Sequence, residues 1–130
     1  MKMKHLIFAY GTLKKGFGNH SLLAGATDLG STQTQSRRYR MISLGGFPAV
    51  YKTGKCAIEG ELYEVENSTL ERLDVLESNE LFYRRELVPL ANGLEAWMYI
   101  CLYKIETELP QDRVLNTRNQ TQVWLQRPNF

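Results

Sequence analysis

Glu77 is the residue whose type and place most invite chemistry. Ser68–Glu77 reads as a helix, with Ser68-Thr69-Leu70-Glu71 as a capping box and Leu70, Leu73 and Leu76 as its apolar stripe. At about 100° per residue, Leu73 falls near 300° from Leu70 and Glu77 near 340°. Glu77 therefore sits inside the stripe, with Asp74 at its edge and Glu71 and Arg72 turned elsewhere. A carboxylate aimed at a core is costly to ionise unless it is paired, so a raised pKa and a general acid/base role are expected. Two alternatives stay open: a fraying helix end turned to solvent, or a buried ion pair with Arg84 or Arg85.

The second feature is Tyr10-Gly11-Thr12-Leu13, where an apolar run meets a glycine-containing turn. Such a turn presents backbone N–H groups that can hold a carboxylate or a developing oxyanion. An ordinary connection to a short helix is the alternative. No phosphate loop is present, because no Gly-Lys-Ser/Thr follows and Gly16 and Gly18 do not complete a dinucleotide spacing. His5 and His20 show no metal-ligand spacing, and His20 reads as structural. Ser21 and Ser43 lie outside any nucleophile elbow. Cys56 and Cys101 are too few for a cysteine-based zinc site and read as free buried thiols. No metal is expected.

The elements around these residues follow from pattern. His5–Tyr10 is a strand buried on both faces, and Asn19–Ala24 is a short helix ending at Gly25. Thr27 to Tyr51 reads as strands broken by Gly45-Gly46-Phe47-Pro48, and Ala57–Val65 alternates as a separate strand. Phe82–Pro89 and Leu94–Tyr103 form a hairpin around Ala91-Asn92-Gly93, and the second, apolar on both faces, is central. Trp97 and Tyr99 read as core packing. A short helix around Gln111–Asn116 and a strand or docked tail around Gln122–Leu125 complete the chain. The expectation is an α+β fold, a small and mostly antiparallel β-barrel flanked by one or two helices.

The 130 residues make one domain, 1–130, with a core of about 5–105 and a polar C-terminal tail at 106–130. At 43% hydrophobic and 23% charged the composition is that of a globular chain, which argues against disorder. A net charge of +2 gives no reason to expect nucleic acid or a membrane as partner, and Arg37, Arg38 and Arg40 read as a solvated strand face. The apolar run Leu6–Tyr10 is too short for a secretory signal, so the cytoplasm is the expected location. The sequons at Asn67 and Asn119 are then chance matches.

Phe8-Ala9-Tyr10-Gly11-Thr12-Leu13-Lys14-Lys15-Gly16, followed by Asn19 and Leu22, resembles the opening of the gamma-glutamylcyclotransferase-like superfamily, in its gamma-glutamylamine cyclotransferase (AIG2-like) branch. Gly46–Val50, Ile58–Val65, Leu73-Asp74-Val75-Leu76-Glu77 with Phe82-Tyr83-Arg84-Arg85, and Ala96–Tyr99 resemble further segments of that family, in its order. Ser78-Asn79-Glu80-Leu81 lacks the Gly and Pro often found there. The resemblance implies a cyclotransferase that converts a γ-glutamyl-amine to 5-oxoproline and a free amine, a transferase or lyase reaction, without metal or cofactor. It implies Glu77 as acid/base, Tyr10, Gly11, Thr12 and Leu13 as the loop holding the γ-glutamyl part, and Tyr83 as an aromatic wall of the pocket. The partner is then a small-molecule γ-glutamyl substrate. A non-catalytic small-molecule-binding barrel that keeps the pocket is the alternative, and a domain whose tail docks a partner is a third. The leaving amine and the oligomeric state are left open.

Overall fold

A computed structural model describes residues 3–81, 83–103 and 105–126, with residues 78–81 described by backbone alone. Met1, Lys2, Phe82 and the chain end 127–130, all used in the sequence reading, lie outside the described residues. The strands are β1 (Lys4–Ala9), β2 (Thr27–Gln33), β3 (Tyr39–Ser43), β4 (Pro48–Glu66), β5 (Tyr83–Pro89), β6 (Glu95–Cys101), β7 (Val114–Asn116) and β8 (Thr121–Trp124). A short 3₁₀ helix spans His20–Leu23, and the helix α1 spans Asn67–Leu81.

β4 is the organising strand. Its 19 residues pair with β3 near its start, with β8 in the middle, and with β2 and β1 toward its end. The expected break between Tyr51 and Ala57 is absent. Register slips there instead, from Tyr51 opposite Arg40 to Cys56 opposite Tyr39. Gly54 permits it, because a Cβ at that position would lie 2.1 Å from the Tyr39 carbonyl oxygen.

The strand order is β5-β6-β1-β4-β8-β7, with β2 and β3 also paired to β4. β1–β6 and β4–β8 are parallel, and the other pairings are antiparallel. The result is a mixed sheet with one α-helix; the sheet is not closed, so the expected barrel is not confirmed. The end of β2 meets the end of β5 only through an isolated Thr34–Leu90 bridge, flanked by Gln35 N–H to Pro89 O (3.0 Å) and Ala91 N–H to Gln33 O (2.8 Å). β2 is largely exposed and its register shifts between Asp28 and Ser31, so little apolar surface drives a second ladder along it.

Alternation along β1 and β6 builds two apolar clusters. Phe8, Met98 and Ile100 join Ile58, Leu62 and Trp124 in one. Ile7, Ala9 and Tyr99 join Leu70, Leu73 and Tyr83 in the other, which α1 covers. β6 lies between β5 and β1, as expected of a strand apolar on both faces.

α1 differs from expectation at both ends. It begins at Asn67, whose Nδ2 donates to the Glu71 carboxylate at 3.0 Å, so Glu71 supports the first turn through Asn67. It continues to Leu81, so 78–81 is helix rather than loop. The expected helix at Gln111–Asn116 is replaced by β7, which forms a hairpin with β8 through the turn at Thr117–Gln120. The expected strand near Gln122–Leu125 is β8, and its parallel pairing with Ala57 and Ile58 docks Trp124 in the core at 1% exposure. Cys56 and Cys101 are free thiols. No helix among the described residues is long and apolar enough to cross a membrane.

Candidate active site

The cavity of interest lies where β1 ends. Its volume is about 140 Å³, and its wall includes Tyr10, Gly11, Thr12 and Leu13 after β1, Gly46, Phe47 and Pro48 before β4, Leu76 and Glu77 on α1, Tyr83 on β5 and Tyr99 on β6. The six residues singled out from the sequence, Glu77, Tyr10, Gly11, Thr12, Leu13 and Tyr83, therefore line one space. It is smaller than the roughly 300–1,000 Å³ of sites for drug-sized ligands, so it suits a small polar group.

The helix stripe delivers Glu77. Leu70 and Leu73 are buried against the sheet, and the stripe then runs through half-buried Leu76 to half-buried Glu77 at the cavity. Glu77 lies four residues before the end of α1 and is not a frayed terminus. The cations considered as partners are engaged elsewhere. Arg85 Nε donates to both Asp74 oxygens, at 2.9 and 3.0 Å, and an Arg84 terminal nitrogen donates to Glu86 at 3.3 Å.

The loop facing Glu77 has an uneven hydrogen-bond pattern. The Gly11 carbonyl accepts from Lys14 N–H (3.0 Å), the Thr12 carbonyl from Asn19 N–H (2.9 Å), and the Leu13 carbonyl lies 2.9 Å from His20 Nδ1. Among the described residues, the N–H groups of Gly11, Thr12 and Leu13 meet no protein acceptor. Three consecutive donors without a protein acceptor, on residues that line the cavity and with their carbonyls turned to the protein, are the kind of group that can hold an anionic oxygen. Asn19 holds this shape from both sides, since its Nδ2 also donates to Thr12 Oγ1 at 3.0 Å. His20 is structural, as its contacts with Leu13 and the Tyr63 ring show.

Gly11 is needed for closeness rather than for backbone freedom. A Cβ there would fall 2.8 Å from Pro48 Cγ and 3.0 Å from Cδ, so only glycine lets the loop lie against the Gly46–Pro48 segment.

Three phenols complete the wall, and each donates its proton to the protein. Tyr10 donates to the Tyr99 carbonyl (2.7 Å), Tyr83 to the Pro48 carbonyl (2.9 Å) and Tyr99 to Asp74 Oδ1 (2.8 Å). Burial pushes the Tyr10 phenol well above its ordinary range, helped by the nearby Tyr83 and Glu77 charges. Burial, the bond to Asp74 and the Asp74 and Glu77 charges do the same for Tyr99. Tyr10 and Tyr99 stay protonated near neutrality, so they shape the wall and do not carry protons across it.

Sequence reasoning took Tyr99 for core packing, whereas it forms part of this wall and holds α1 through Asp74. Alternation put it on an apolar face, and only the register of β6 against β1 carries it to the cavity. Asn19 reads as a helix start and Phe47 as part of a strand-breaking turn, with no place at the cavity read for either.

A sequence model of the family described as gamma-glutamyl cyclotransferase, AIG2-like matches residues 7–125. A Vibrio cholerae protein provisionally named a gamma-glutamylcyclotransferase is 39% identical over 98 residues, covering 75% of this chain and 83% of its own. The gamma-glutamylcyclotransferase family protein YtfP of Escherichia coli K12 is 35% identical over 94 residues, covering 72% of this chain and 80% of its own. The crystal structure of an uncharacterized Pyrococcus horikoshii protein superposes with a TM-score of 0.69 at 27% identity, covering 83% of this chain and 86% of that one. The family match extends through β7 and β8, beyond the segment 5–105 on which the resemblance rested.

Proposed function

The chain belongs to the gamma-glutamyl cyclotransferase, AIG2-like family, and on that premise we propose that it cyclises a γ-glutamyl-amine to 5-oxoproline and releases the free amine. The observation that supports this reading is the pairing of Glu77 with three unengaged N–H donors across one small cavity.

The substrate carries its own nucleophile. Its α-ammonium gives a proton to Glu77, and the neutral amine attacks the γ-carbonyl, closing a five-membered ring. The carbonyl re-forms as the C–N bond to the leaving amine breaks, and Glu77 returns the first proton to that nitrogen. The ring nitrogen then gives up its second proton through Glu77, leaving 5-oxoproline with one ring N–H and the released amine as its ammonium. The N–H groups of Gly11, Thr12 and Leu13 steady a substrate oxygen that carries negative charge. Tyr10, Tyr83 and Tyr99 form a wall that favours the folded conformer. Holding an intramolecular attack in place lowers a barrier by about 7–11 kcal/mol. General acid/base transfer contributes a further factor of about 10²–10⁴. With Tyr10 and Tyr99 held protonated, Glu77 is the group on this wall proposed to move a proton.

The test is release of 5-oxoproline from γ-glutamyl-amines and from ε-(γ-glutamyl)-lysine. Glu77→Gln is expected to lower turnover by about 10²–10⁴-fold while leaving the fold intact. Turnover at the wild-type rate in that variant would refute the mechanism. The same free N–H groups also suit a second reading, a small-molecule binder without turnover. Thermal protection of the wild type by 5-oxoproline, with no release of amine from any γ-glutamyl-amine, would favour it.

A further inference from the structure

The segment after β6 reaches both loops of the cavity. On one side, the buried Lys14 side chain donates from Nζ to the Trp124 carbonyl at 2.6 Å and lies 4.9 Å from the Phe17 ring. Gln126 Nε2 donates to the Gly16 carbonyl at 2.7 Å. These bonds fasten the chain directly after Tyr10–Leu13 to the end of β8. On the other side, Arg113 donates to the Gly45 carbonyl at 3.0 Å, and Gln111 brackets Ser43, accepting from its N–H (2.7 Å) and donating to its carbonyl (3.1 Å). These bonds fasten the turn that carries Gly46, Phe47 and Pro48.

The two anchors are tied to each other. The Arg113 guanidinium stacks 4.2 Å from the Trp124 ring, its Nε donates to the Leu125 carbonyl at 3.1 Å, and Leu125 N–H returns a bond to the Arg113 carbonyl at 2.8 Å. A planar guanidinium that stacks and donates in two directions at once cannot be replaced by a point charge. The β7–β8 hairpin is itself locked to the sheet. β8 pairs with β4, and the Gln122 amide meets both the N–H and the carbonyl of Met41 at 2.6 and 3.3 Å.

We infer that residues 106–126 are a strap that sets the width of the cavity, with Arg113 as the positioning residue for the Gly45–Pro48 turn and Lys14 as the anchor of the Tyr10–Leu13 loop. The inference assigns a role to a segment whose sequence reads as a polar tail. It rests on the reading of this cavity as the catalytic one. Loss of Arg113 lets the Gly45–Pro48 turn drift from the loop that binds substrate, while Glu77, held by α1, keeps its place. Binding therefore suffers before chemistry does.

The test compares wild type, Arg113→Met, Arg113→Lys and Gln111→Ala by amide hydrogen exchange and by the kinetics of 5-oxoproline release. The probes are the amides of Leu44 and Gly45, which are hydrogen-bonded within the turn to Phe47 O (2.9 Å) and Ser43 Oγ (3.1 Å). In Arg113→Met both are expected to exchange about tenfold faster, with KM raised about tenfold and kcat within about twofold. Arg113→Lys should recover part of the exchange protection. A folded Arg113→Met with unchanged exchange and unchanged KM overturns the strap. Should Arg113→Met not fold, Gln111→Ala at its exposed position decides the matter through the same two amides. A wild type that releases no 5-oxoproline counts against the catalytic reading alone, since the exchange measurement still decides the strap.

Discussion

Gly11→Ala puts one methyl group into the closest contact of the cavity. The added Cβ falls 2.8 Å from Pro48 Cγ and 3.0 Å from Cδ. Carbon atoms settle at about 3.5–4.0 Å, so something must move by about 0.5–1 Å. Pro48 has no rotamer through which to escape, because its ring is fused to the backbone. It is also buried, starts β4, pairs with Ser43, and accepts the Tyr83 hydroxyl at 2.9 Å. Overpacking of this kind costs about 1–3 kcal/mol, and loss of the Tyr83 bond would add about 1 kcal/mol. For a chain of this length that is a fall in Tm of about 4–15 °C. The functional effect should be larger than the thermal one, since a displacement of about 1 Å at a positioned reaction centre can cost about 10²-fold in rate. The assay is thermal unfolding beside steady-state release of 5-oxoproline. Gly18→Ala is the control, since no atom lies within 4 Å of its added Cβ, and it should stay within about 0.5 kcal/mol of wild type. A Gly11→Ala protein with wild-type Tm and wild-type KM would refute the claim that this glycine is required for close approach.

Other expectations follow from the same contacts. Asn19→Ala removes the bond to Thr12 Oγ1 and should raise KM about three- to tenfold, with under about 1 kcal/mol of stability lost, as read by kinetics and urea unfolding. Arg85→Met breaks a partly exposed pair with Asp74 and a stack 4.3 Å over Trp97, and should lower stability by about 1 kcal/mol after solvent screening. Stability should fall steeply above pH 10. The folded Tyr10 and Tyr99 pKa values are raised above 10.0, so their contribution is whole below pH 10 and is lost as pH rises beyond it. Burial raises Tyr39, Tyr51 and Tyr63 as well, and each such phenol contributes up to about 1.36 kcal/mol per pH unit to the slope. Lys14 runs against them, because burial lowers its ammonium pKa, so its penalty lifts as pH approaches 10.5. Tyr99→Phe should lower the alkaline slope in pH-dependent urea unfolding by up to about 1.36 kcal/mol per pH unit, and an unchanged slope would count against these assignments.

Much of this molecule is legible in its sequence because local patterns carry it. The alternation of β6, the apolar run of β1, the Ala91-Asn92-Gly93 turn and the leucine stripe of α1 each state their own burial. Glu77 stood out for the same reason, as one carboxylate at a leucine position. Helix geometry fixes that direction without reference to the rest of the chain. What the stripe points at is another matter. Leu70 and Leu73 meet the sheet while Glu77 meets a cavity, and nothing within the helix distinguishes the two. The closure of the sheet is not legible in sequence, because a barrel and an open sheet have the same alternation, and the difference lies in whether β2 finds a second partner. The polar tail was opaque because its work is done by side-chain amides, a guanidinium and backbone carbonyls, which leave no periodicity.

The sequence by itself determined which residues could do chemistry: a carboxylate on an apolar face and a glycine turn after a buried strand, to which the family resemblance added Tyr83. The first two are properties of residue type and of the fixed geometry of helix and strand. Only the tertiary structure decided that the three share one small cavity, that Arg85 takes Asp74, and that the chain after β6 grips both cavity loops. Each of these depends on contacts between residues far apart in sequence, set by the register of β4 against its four partner strands. Such registers are global compromises of packing and hydrogen bonding, and no short stretch of sequence contains them.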